Sequence, residues 1–217
     1  MTSFKKHYQS IFKSFGYPLS KRTAMPSKAL TAAEKRLRIR IPAAIRDYYL
    51  VAGRERRFNI CHNRLLPPNQ WTVDKQRLVF MEENQSVVLW GVSTRNPEAN
   101  DPAISQAIND ESLAWNPEHR RCSQFLAVML HYNAVNNGLR FCGAASVPVS
   151  PNEQLVRDGW TFFGNVNSLM AYSRPRQVVC AMSPGDLPFM RNWSIYVGGK
   201  TKADLKGIAA ELGVVLE

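Results

Sequence analysis

Cysteines and histidines are the residues of this sequence that could hold a metal ion. Cys61 and His62 are its one adjacent pair of soft ligands, and His119 and Cys122 would have to join them through the fold to complete a tetrahedral zinc site. No two cysteines have the Cys-x-x-Cys spacing that is typical of structural zinc sites. We therefore predict no metal site, and we expect the four cysteines to be reduced thiols that behave as small apolar side chains.

Acid–base catalysis would need a carboxylate and a histidine within hydrogen-bond reach. Glu82 and Glu83 are adjacent carboxylates, but only the fold could bring His62 or His131 to them. His131 lies among apolar residues, which favours a structural histidine. The sequence has no Gly-rich phosphate loop, no Gly-x-Ser-x-Gly elbow and no His-Glu-x-x-His motif. An enzyme is the weakest interpretation, and we predict a non-enzymatic protein without a cofactor.

The stretch from Val79 to Val92 favours recognition over chemistry. Alternating apolar residues on both sides of a polar connector predict a β-hairpin. The connector would present its side chains to a protein partner, and a nearby tryptophan would anchor the contact because tryptophan is enriched in binding hot spots. An ordinary solvated turn is the alternative, with Trp90 as a core or half-buried tryptophan. The predicted partner-binding residues are Trp71, Glu82, Glu83, Asn84, Gln85 and Trp90.

Helices are predicted on either side of Pro42. The capping-box pattern of residues 31–34 predicts a helix that begins at Thr31 and carries Glu34 as the reciprocal cap. Apolar residues at helical spacing predict a second helix after Pro42, with Gly53 as a left-handed stop. Further along, residues 103–108 are interpreted as a short helical turn, and residues 113–115 as a strand. Ser123 is predicted to cap the helix that follows it.

The last third of the chain has short apolar runs separated by Gly, Pro and Ser. Strands are predicted over residues 160–164, 177–181 and 193–197, and the last of them is expected to turn at Gly198 and Gly199. Thr201 and Asp204 then predict the start of a terminal helix. We find no internal repeat.

The net charge of +11 is concentrated in the first 40 residues. They hold ten of the 28 Lys and Arg residues but only one of the 17 acids, so nine of the eleven net charges lie there. The spacing of Phe4, Tyr8, Ile11, Phe12 and Phe15 predicts an amphipathic lead helix. Its aromatic stripe could pack on the body of the protein, bind an anionic lipid surface or nucleic acid, or belong to an organelle transit peptide. The polyanion-binding alternative would use Lys5, Lys6, Lys13, Lys21, Arg22, Lys28, Lys35, Arg36, Arg38 and Arg40.

Residues 28–136 resemble the SUKH superfamily. The resemblance rests on Leu37–Pro42, Tyr48–Leu50 and the hairpin of residues 79–92, with Trp115 and the Phe125-Leu126 helix after them. It implies an α+β domain, with a mixed sheet flanked by helices, that binds other proteins inside the cell. Many bacterial members are similar to immunity proteins that neutralise toxins, whereas fungal relatives are regulatory scaffolds. The basic first segment departs from the pattern of the immunity proteins, because an inhibitor of a basic nuclease toxin would benefit from an acidic face that complements the charge of the toxin.

These observations together predict an α+β fold with a mixed, mainly antiparallel sheet flanked by helices. A basic leader helix and linker over residues 1–28 would precede a SUKH-like single domain over residues 29–217, with a C-terminal strand-helix extension. No apolar run approaches the ~20 residues of a membrane span, and no secretory signal is evident, so we expect a cytoplasmic protein. The predicted function is toxin neutralisation by occlusion. Nucleic-acid or anionic-surface binding is the alternative, and a regulatory scaffold is a weaker one.

Overall fold

The computed structural model describes residues 3–184 and 191–217, which form two compact units. The first unit comprises residues 3–10 and 19–125, and the second comprises residues 11–18, 126–184 and 191–217. Residues 1 and 2 of the predicted leader lie outside the described residues. Residues of the leader lie in both units, and residues 29–217 are divided between them.

The first unit joins helices to one antiparallel sheet. Two of its helices, α1 and α5, also supply residues to the second unit. In chain order its elements are α1 (Lys5–Ser14), α2 (Ser27–Leu37), α3 (Ala43–Ala52), α4 (Arg56–Asn59), β1 (Arg64–Leu65), β2 (Thr72–Asp74), β3 (Arg77–Glu82), β4 (Val88–Ser93), β5 (Ile104–Ile108), β6 (Asn116–His119) and α5 (Cys122–Asn133).

The predicted hairpin is confirmed at the centre of this sheet. The strand order is β1-β3-β4-β5-β6, with β2 also paired to β3. β3 and β4 pair in antiparallel register from Arg77 opposite Ser93 to Glu82 opposite Leu89, with a bulge between Val79 and Met81. The polar turn between them therefore projects from the end of the two central strands.

The start of α2 corrects the predicted capping box. The helix begins at Ser27, directly after Pro26, so Thr31 lies inside it rather than at its cap. Proline fixes φ near its helical value and needs no amide partner, which makes the position beside Pro26 a favourable start. Gly53 follows α3 as predicted but is right-handed, whereas Arg38 adopts the left-handed conformation after α2 (φ 55°).

Two further predictions in the first unit are wrong. Residues 104–108 form β5 rather than a helical turn, because Ile104 and Ala107 are buried as β5 pairs with β4. The predicted strand at 113–115 is displaced to β6. Ser123 lies inside the first turn of α5 and donates its amide and hydroxyl to Asp101, at 2.7 and 2.6 Å.

The second unit is built on a five-stranded antiparallel sheet. The strand order is β7-β11-β10-β9-β8, and Leu155, Trp160, Tyr172, Val179, Ile195, Val197 and Ile208 form its apolar core. A π-helical turn, Ala134–Gly138, precedes the sheet, and Asn137 in it is left-handed (φ 76°). The other elements of the unit are β7 (Phe141–Val147), α6 (Asn152–Arg157), β8 (Thr161–Val166), β9 (Leu169–Arg174), β10 (Gln177–Met182), β11 (Trp193–Gly199) and α7 (Lys202–Leu212).

The predicted terminal helix is confirmed with its cap. The Thr201 hydroxyl accepts from the Asp204 amide at 3.1 Å, and the Asp204 carboxylate accepts from the Thr201 amide at 2.9 Å. The predicted turn at Gly198 and Gly199 is wrong, because both residues lie inside β11. A Cβ on Gly199 would stand 2.7 Å from the Leu205 amide nitrogen of α7. Close approach of the helix, not a turn, requires this glycine.

The α+β fold with antiparallel sheets and flanking helices is confirmed. Every strand pairing of the described residues is antiparallel, and the strands form two sheets rather than one. Within residues 3–184 and 191–217, no helix is long and apolar enough to cross a membrane.

Candidate functional site

The hairpin-tip surface is formed by residues 83–87 of the β3–β4 turn and residues 108–110, which begin at the last residue of β5. The turn is closed by the Ser86 amide, which donates to the Glu83 carbonyl at 2.8 Å, while Ser86 is left-handed (φ 60°). The Asn109 amide donates to the Val87 carbonyl at 2.8 Å, and its side-chain amide donates to the Ser86 carbonyl at 2.8 Å. These bonds join the two loops into one surface.

Two exposed apolar side chains lie on this surface. Val87 is 49% exposed, and Ile108 is 55% exposed. Val87 directly precedes β4, and Ile108 is paired with the next residue, Val88. Exposed β-branched side chains beside a well-ordered polar turn are suited to contact with another protein.

Two carboxylates of this surface are held by hydrogen bonds. The Glu83 carboxylate accepts from the amides of Gln85 at 2.8 Å and Val87 at 3.4 Å, which fixes the turn. Asp110 is fully exposed, and hydrogen bonds from the Ser112 side chain and the Leu113 amide lower the pKa of its carboxyl group. Both carboxylates are therefore held in place by backbone donors.

His62 stands beside the tip. Its Nδ1 is 3.2 Å from the Asn84 side-chain nitrogen. Burial lowers the pKa of His62, and the charge of Glu83 opposes that shift. The contact places His62, a candidate for acid–base catalysis, beside the predicted recognition turn. It joins His62 to Asn84 and is not an acid–base pair with Glu83.

Glu82 has a structural position at the base of the turn. Its carboxylate pairs with Arg64 at 2.9 Å, and the Ser86 hydroxyl lies 3.2 Å from it. The Arg64 guanidinium also donates to the Ser86 hydroxyl at 2.5 Å. Of the predicted acidic pair, Glu83 lies on the tip, whereas Glu82 holds β1 to the turn.

The two predicted aromatic anchors lie in the core. Trp71 is fully buried, its indole ring is perpendicular to Tyr49 at 4.9 Å, and its Nε1 donates to the Leu66 carbonyl at 2.8 Å. Trp90 is buried beside Phe125, with ring centroids 5.9 Å apart. The structure thus brings residues 83–85 together at the tip and places neither tryptophan on that surface.

The candidate metal ligands remain dispersed. Cys122 is fully buried, and burial raises the pKa of its thiol, whereas the His119 Nδ1 is engaged by the Arg121 backbone. The four cysteines are free thiols; Cys122 and Cys180 are buried as expected, whereas Cys61 and Cys142 are only half-buried. No group of three or more His, Cys, Asp or Glu side chains that could hold a metal ion is found in the described part of the chain.

His131 lies in the core of the second unit. Its ring centroid is 5.0 Å from Phe15 and 4.4 Å from Phe163, and its Nδ1 is 2.7 Å from the Ala127 carbonyl. This position supports the structural interpretation of His131.

The amphipathic lead helix is confirmed as α1, and its apolar stripe is buried. Tyr8 donates its hydroxyl to the Ala44 carbonyl at 3.1 Å, and its ring is perpendicular to Tyr48 at 5.1 Å. Ile11, Phe12 and Phe15 are also fully buried. This helix therefore has no free aromatic face to insert into a lipid surface.

The predicted polyanion-binding residues lie at the protein surface. Arg36 is committed to the carbonyls of Pro68 and Trp71, at 2.9 and 3.0 Å, and Arg40 pairs with Glu98 at 2.5 Å. Lys35, Arg38 and Arg40 line one open cleft of about 610 Å³ beside Thr94 and Pro97. The remaining exposed members are Lys5, Lys6, Lys13, Lys21, Arg22 and Lys28.

Glu34 lines that cleft, and an ion pair and a hydrogen bond stabilise its charged carboxylate. Burial of Glu34 favours protonation, but the Arg46 guanidinium and the Ile41 amide outweigh it and lower the pKa of the carboxyl group below 4.5. A lowered pKa stabilises the fold above the unfolded-state pKa, and this stabilisation is lost as the pH falls through the folded-state pKa.

Glu34→Gln is therefore expected to lower the free energy of unfolding by about 1 kcal/mol near pH 7. The difference from wild type should close only as the pH falls through the lowered folded-state pKa of Glu34, below which the residue is protonated in both states. Urea denaturation at several pH values measures it. Glu98→Gln is the control, because its ion pair with Arg40 is exposed and contributes roughly 0–1 kcal/mol. A difference for Glu34→Gln that does not change with pH would contradict the assignment.

Comparison with known proteins identifies no relative of this chain. Neither the family models, nor the curated proteins, nor the solved structures gave a significant match to this chain. The candidate site therefore rests on its own geometry.

Sequence reasoning missed the apolar part of the tip. The alternation of residues 79–92 predicts Val87 as part of the second strand of the hairpin, and residues 103–108 are expected to form a helical turn that contains Ile108. The available signal was the apolar-polar alternation Ile104-Ser105-Gln106-Ala107-Ile108, which is imperfect because the polar residues Ser105 and Gln106 are adjacent.

Proposed function

We propose that this chain is a cytoplasmic protein-binding module without catalytic activity. It uses the hairpin-tip surface to cover a partner protein. The SUKH resemblance makes an immunity protein that occludes a cognate toxin the leading form of this function, and a regulatory scaffold the second. The observation that carries the proposal is the pair Val87 and Ile108, exposed on a turn whose polar side chains are fixed by hydrogen bonds.

The charge of the tip indicates the chemistry of the partner. Glu83 and Asp110 are carboxylates of this surface, so we expect the complementary surface to carry basic groups. The positive charge of this chain does not argue against such a partner, because the basic residues of α2 lie on a different element from the tip. Rim charges act mainly on the association rate.

Partner capture tests the proposal. Val87→Asp and Ile108→Asp are each expected to weaken retention of a cognate protein by at least about tenfold, as for a disrupted hot spot. The matched control is Val73→Asp, which changes another exposed valine of the same unit, on β2. Each variant is immobilised, exposed to native lysate and washed at about 0.5 M salt, where the Debye length is well below ~8 Å.

A protein held by wild type and Val73→Asp but lost from both tip variants supports the hairpin-tip surface. A specific protein that is retained equally by the tip variants would refute its role in binding.

Polyanion binding is the second candidate, and the cleft lined by Lys35, Arg38 and Arg40 favours it. Phosphate neutralisation makes such binding fall steeply with salt. Recovery of nucleic acid alone, lost in the high-salt wash and abolished by Lys35→Glu and Arg38→Glu, would select this function over the first.

A further inference from the structure

Two loops of the first unit are joined at Thr23. Residues 20–23 form a turn that is closed by the Thr23 amide, which donates to the Ser20 carbonyl at 3.1 Å. The Thr23 carbonyl accepts from the Arg54 amide at 2.8 Å, and the Thr23 hydroxyl lies 3.0 Å from the Val51 carbonyl oxygen. These bonds attach the turn to the end of α3 and to the loop that follows it. Side chains from two distant segments of the chain therefore share one surface.

This surface carries five cations and one carboxylate. The carboxylate is that of Glu55, which accepts from the Arg57 amide at 3.2 Å and so caps α4. All five cationic side chains are exposed, and the net charge of residues 20–24 and 53–57 is +4, five minus one. The five cationic residues, which we call the basic-turn surface, are Lys21, Arg22, Arg54, Arg56 and Arg57.

Most of these charges have no partner inside the protein. Leaving Arg57 aside, no member of the basic-turn surface forms an ion pair within residues 3–184 and 191–217. Other arginines of the same unit are compensated, as Arg46 is by Glu34 and Arg64 is by Glu82. Neighbouring charges of one sign create a positive potential that an anionic ligand neutralises.

The residue types indicate the chemistry of that ligand. Four of the five cations are arginine, whose planar guanidinium matches a phosphate group with two parallel hydrogen bonds. Within residues 19–57, every one of which the structure describes, no large apolar side chain is exposed, and the two aromatic residues, Tyr48 and Tyr49, are buried.

The absence of exposed apolar and aromatic side chains from residues 19–57 separates the classes of anionic partner. A protein interface needs apolar or aromatic anchors at its centre, and a lipid surface needs apolar side chains that insert into it. Single-stranded nucleic acid is bound largely by stacking of its bases on exposed rings. The phosphate backbone of a duplex is bound by charge alone, without contact to the bases.

We propose that the basic-turn surface binds the phosphate backbone of a nucleic-acid duplex and does not read its sequence. Its cations neutralise phosphates and release the counterions that these phosphates hold, so binding weakens steeply with salt. The inference goes beyond the proposed protein-binding function and does not depend on it, because the hairpin-tip surface shares no residue with this one. The cleft lined by Lys35 and Arg38 is also separate, since no member of the basic-turn surface lines it.

Fluorescence anisotropy of a labelled DNA duplex of about 20 base pairs, titrated with the full chain at several salt concentrations, tests the proposal. Wild type is expected to bind with a dissociation constant of about 10⁻⁶–10⁻⁴ M, whatever the sequence of the duplex. Replacing Arg54 and Arg56 together by glutamine should weaken binding by at least about tenfold at about 0.1 M salt. It should also lower the slope of log K against log salt by about 2, one for each lost phosphate contact.

The matched control replaces Lys35 and Arg38 together by glutamine. It removes the same charge from exposed positions of the same unit, so the salt slope should stay that of wild type. Val87→Asp, which disrupts the hairpin-tip surface, should also keep the wild-type slope, and this separates the present inference from the proposed function. All the substituted residues are at least partly exposed, so the fold should persist, and circular dichroism checks this.

Four results would overturn the proposal. The first is no duplex binding by wild type up to about 0.1 mM protein at about 0.05 M salt. The second is an unchanged affinity and slope for the Arg54 and Arg56 variant. The third is an equal loss in the Lys35 and Arg38 variant, which would mean that total charge, not this surface, sets the affinity. The fourth is tighter binding to a single strand of the same length, to polyglutamate or to vesicles of phosphatidylserine and phosphatidylcholine than to the duplex.

Discussion

Trp71→Ala is expected to lower the free energy of unfolding of the first unit by about 3–5 kcal/mol. The indole is fully buried and packs edge-to-face with Tyr49, at 4.9 Å between ring centroids. Alanine would leave a cavity beside Tyr49 and remove the hydrogen bond to the Leu66 carbonyl. Urea denaturation followed by far-ultraviolet circular dichroism measures the change.

Trp71→Phe separates the hydrogen bond from the packing. The Leu66 carbonyl also accepts from the Tyr49 hydroxyl, at 2.6 Å, so it keeps one donor when the indole is lost. The expected cost is about 1 kcal/mol from the missing bond, plus the smaller volume of the ring. If Trp71→Ala cost no more than Trp71→Phe, the position of Trp71 in the core would be contradicted.

Gly199→Ala is expected to destabilise the second unit by about 1–3 kcal/mol, the usual cost of overpacking. Its Cβ would stand 2.7 Å from the Leu205 amide nitrogen and 2.9 Å from the Asp204 Cβ, so α7 would have to move away from β11. That movement would also strain the cap that Asp204 makes with Thr201. Thermal or urea unfolding of the variant measures the loss.

Gly207→Ala is the matched control within α7. A Cβ there would meet only the Gln177 side-chain nitrogen at 3.5 Å, an ordinary contact. Alanine is favoured over glycine in a helix interior by about 1 kcal/mol, so this variant should be more stable than wild type. Opposite signs for the two substitutions are the expected result. Equal effects would show that the approach of α7 to β11 is not the cause.

Local patterns predicted the elements whose signals are complete in sequence. The alternation around residues 82–85 predicted the hairpin, and the Thr201–Asp204 spacing predicted the capped helix. The failures have causes outside the local pattern. The Thr31–Glu34 pattern is a valid capping box, but Pro26 starts the helix earlier, and Glu34 instead accepts from Ile41 and pairs with Arg46.

Gly198 and Gly199, at the end of β11, are a second case in which the local pattern is misleading. A glycine pair after an apolar run is typical of a turn, and no property of the run shows that a helix will pack against it. Gly199 is required by Leu205, six residues on, whose approach is a tertiary contact. The division into two units is likewise a property of long-range contacts, and the charge pattern of residues 1–40 gave no indication of it.

The candidate site was predictable in part. The polar turn of residues 83–85 could be identified, because hairpin turns are exposed and polar. The burial of Trp71 could not, because tryptophan serves both cores and interfaces, whereas a core position for Trp90 was one of the two alternatives. Ile108 reaches the tip only because β5 pairs with β4, which is a contact between separate segments.

Photo-crosslinking from the tip tests the central claim most directly. Gln85 on the hairpin-tip surface and Gln70 in another exposed loop of the same unit are each replaced by a photoreactive phenylalanine derivative. The protein is irradiated in native lysate, and the products are identified by mass spectrometry. We predict one discrete protein crosslinked from position 85 and absent from position 70. No product at position 85, or the same products from both positions, would contradict the assignment of the hairpin tip as a protein-binding surface.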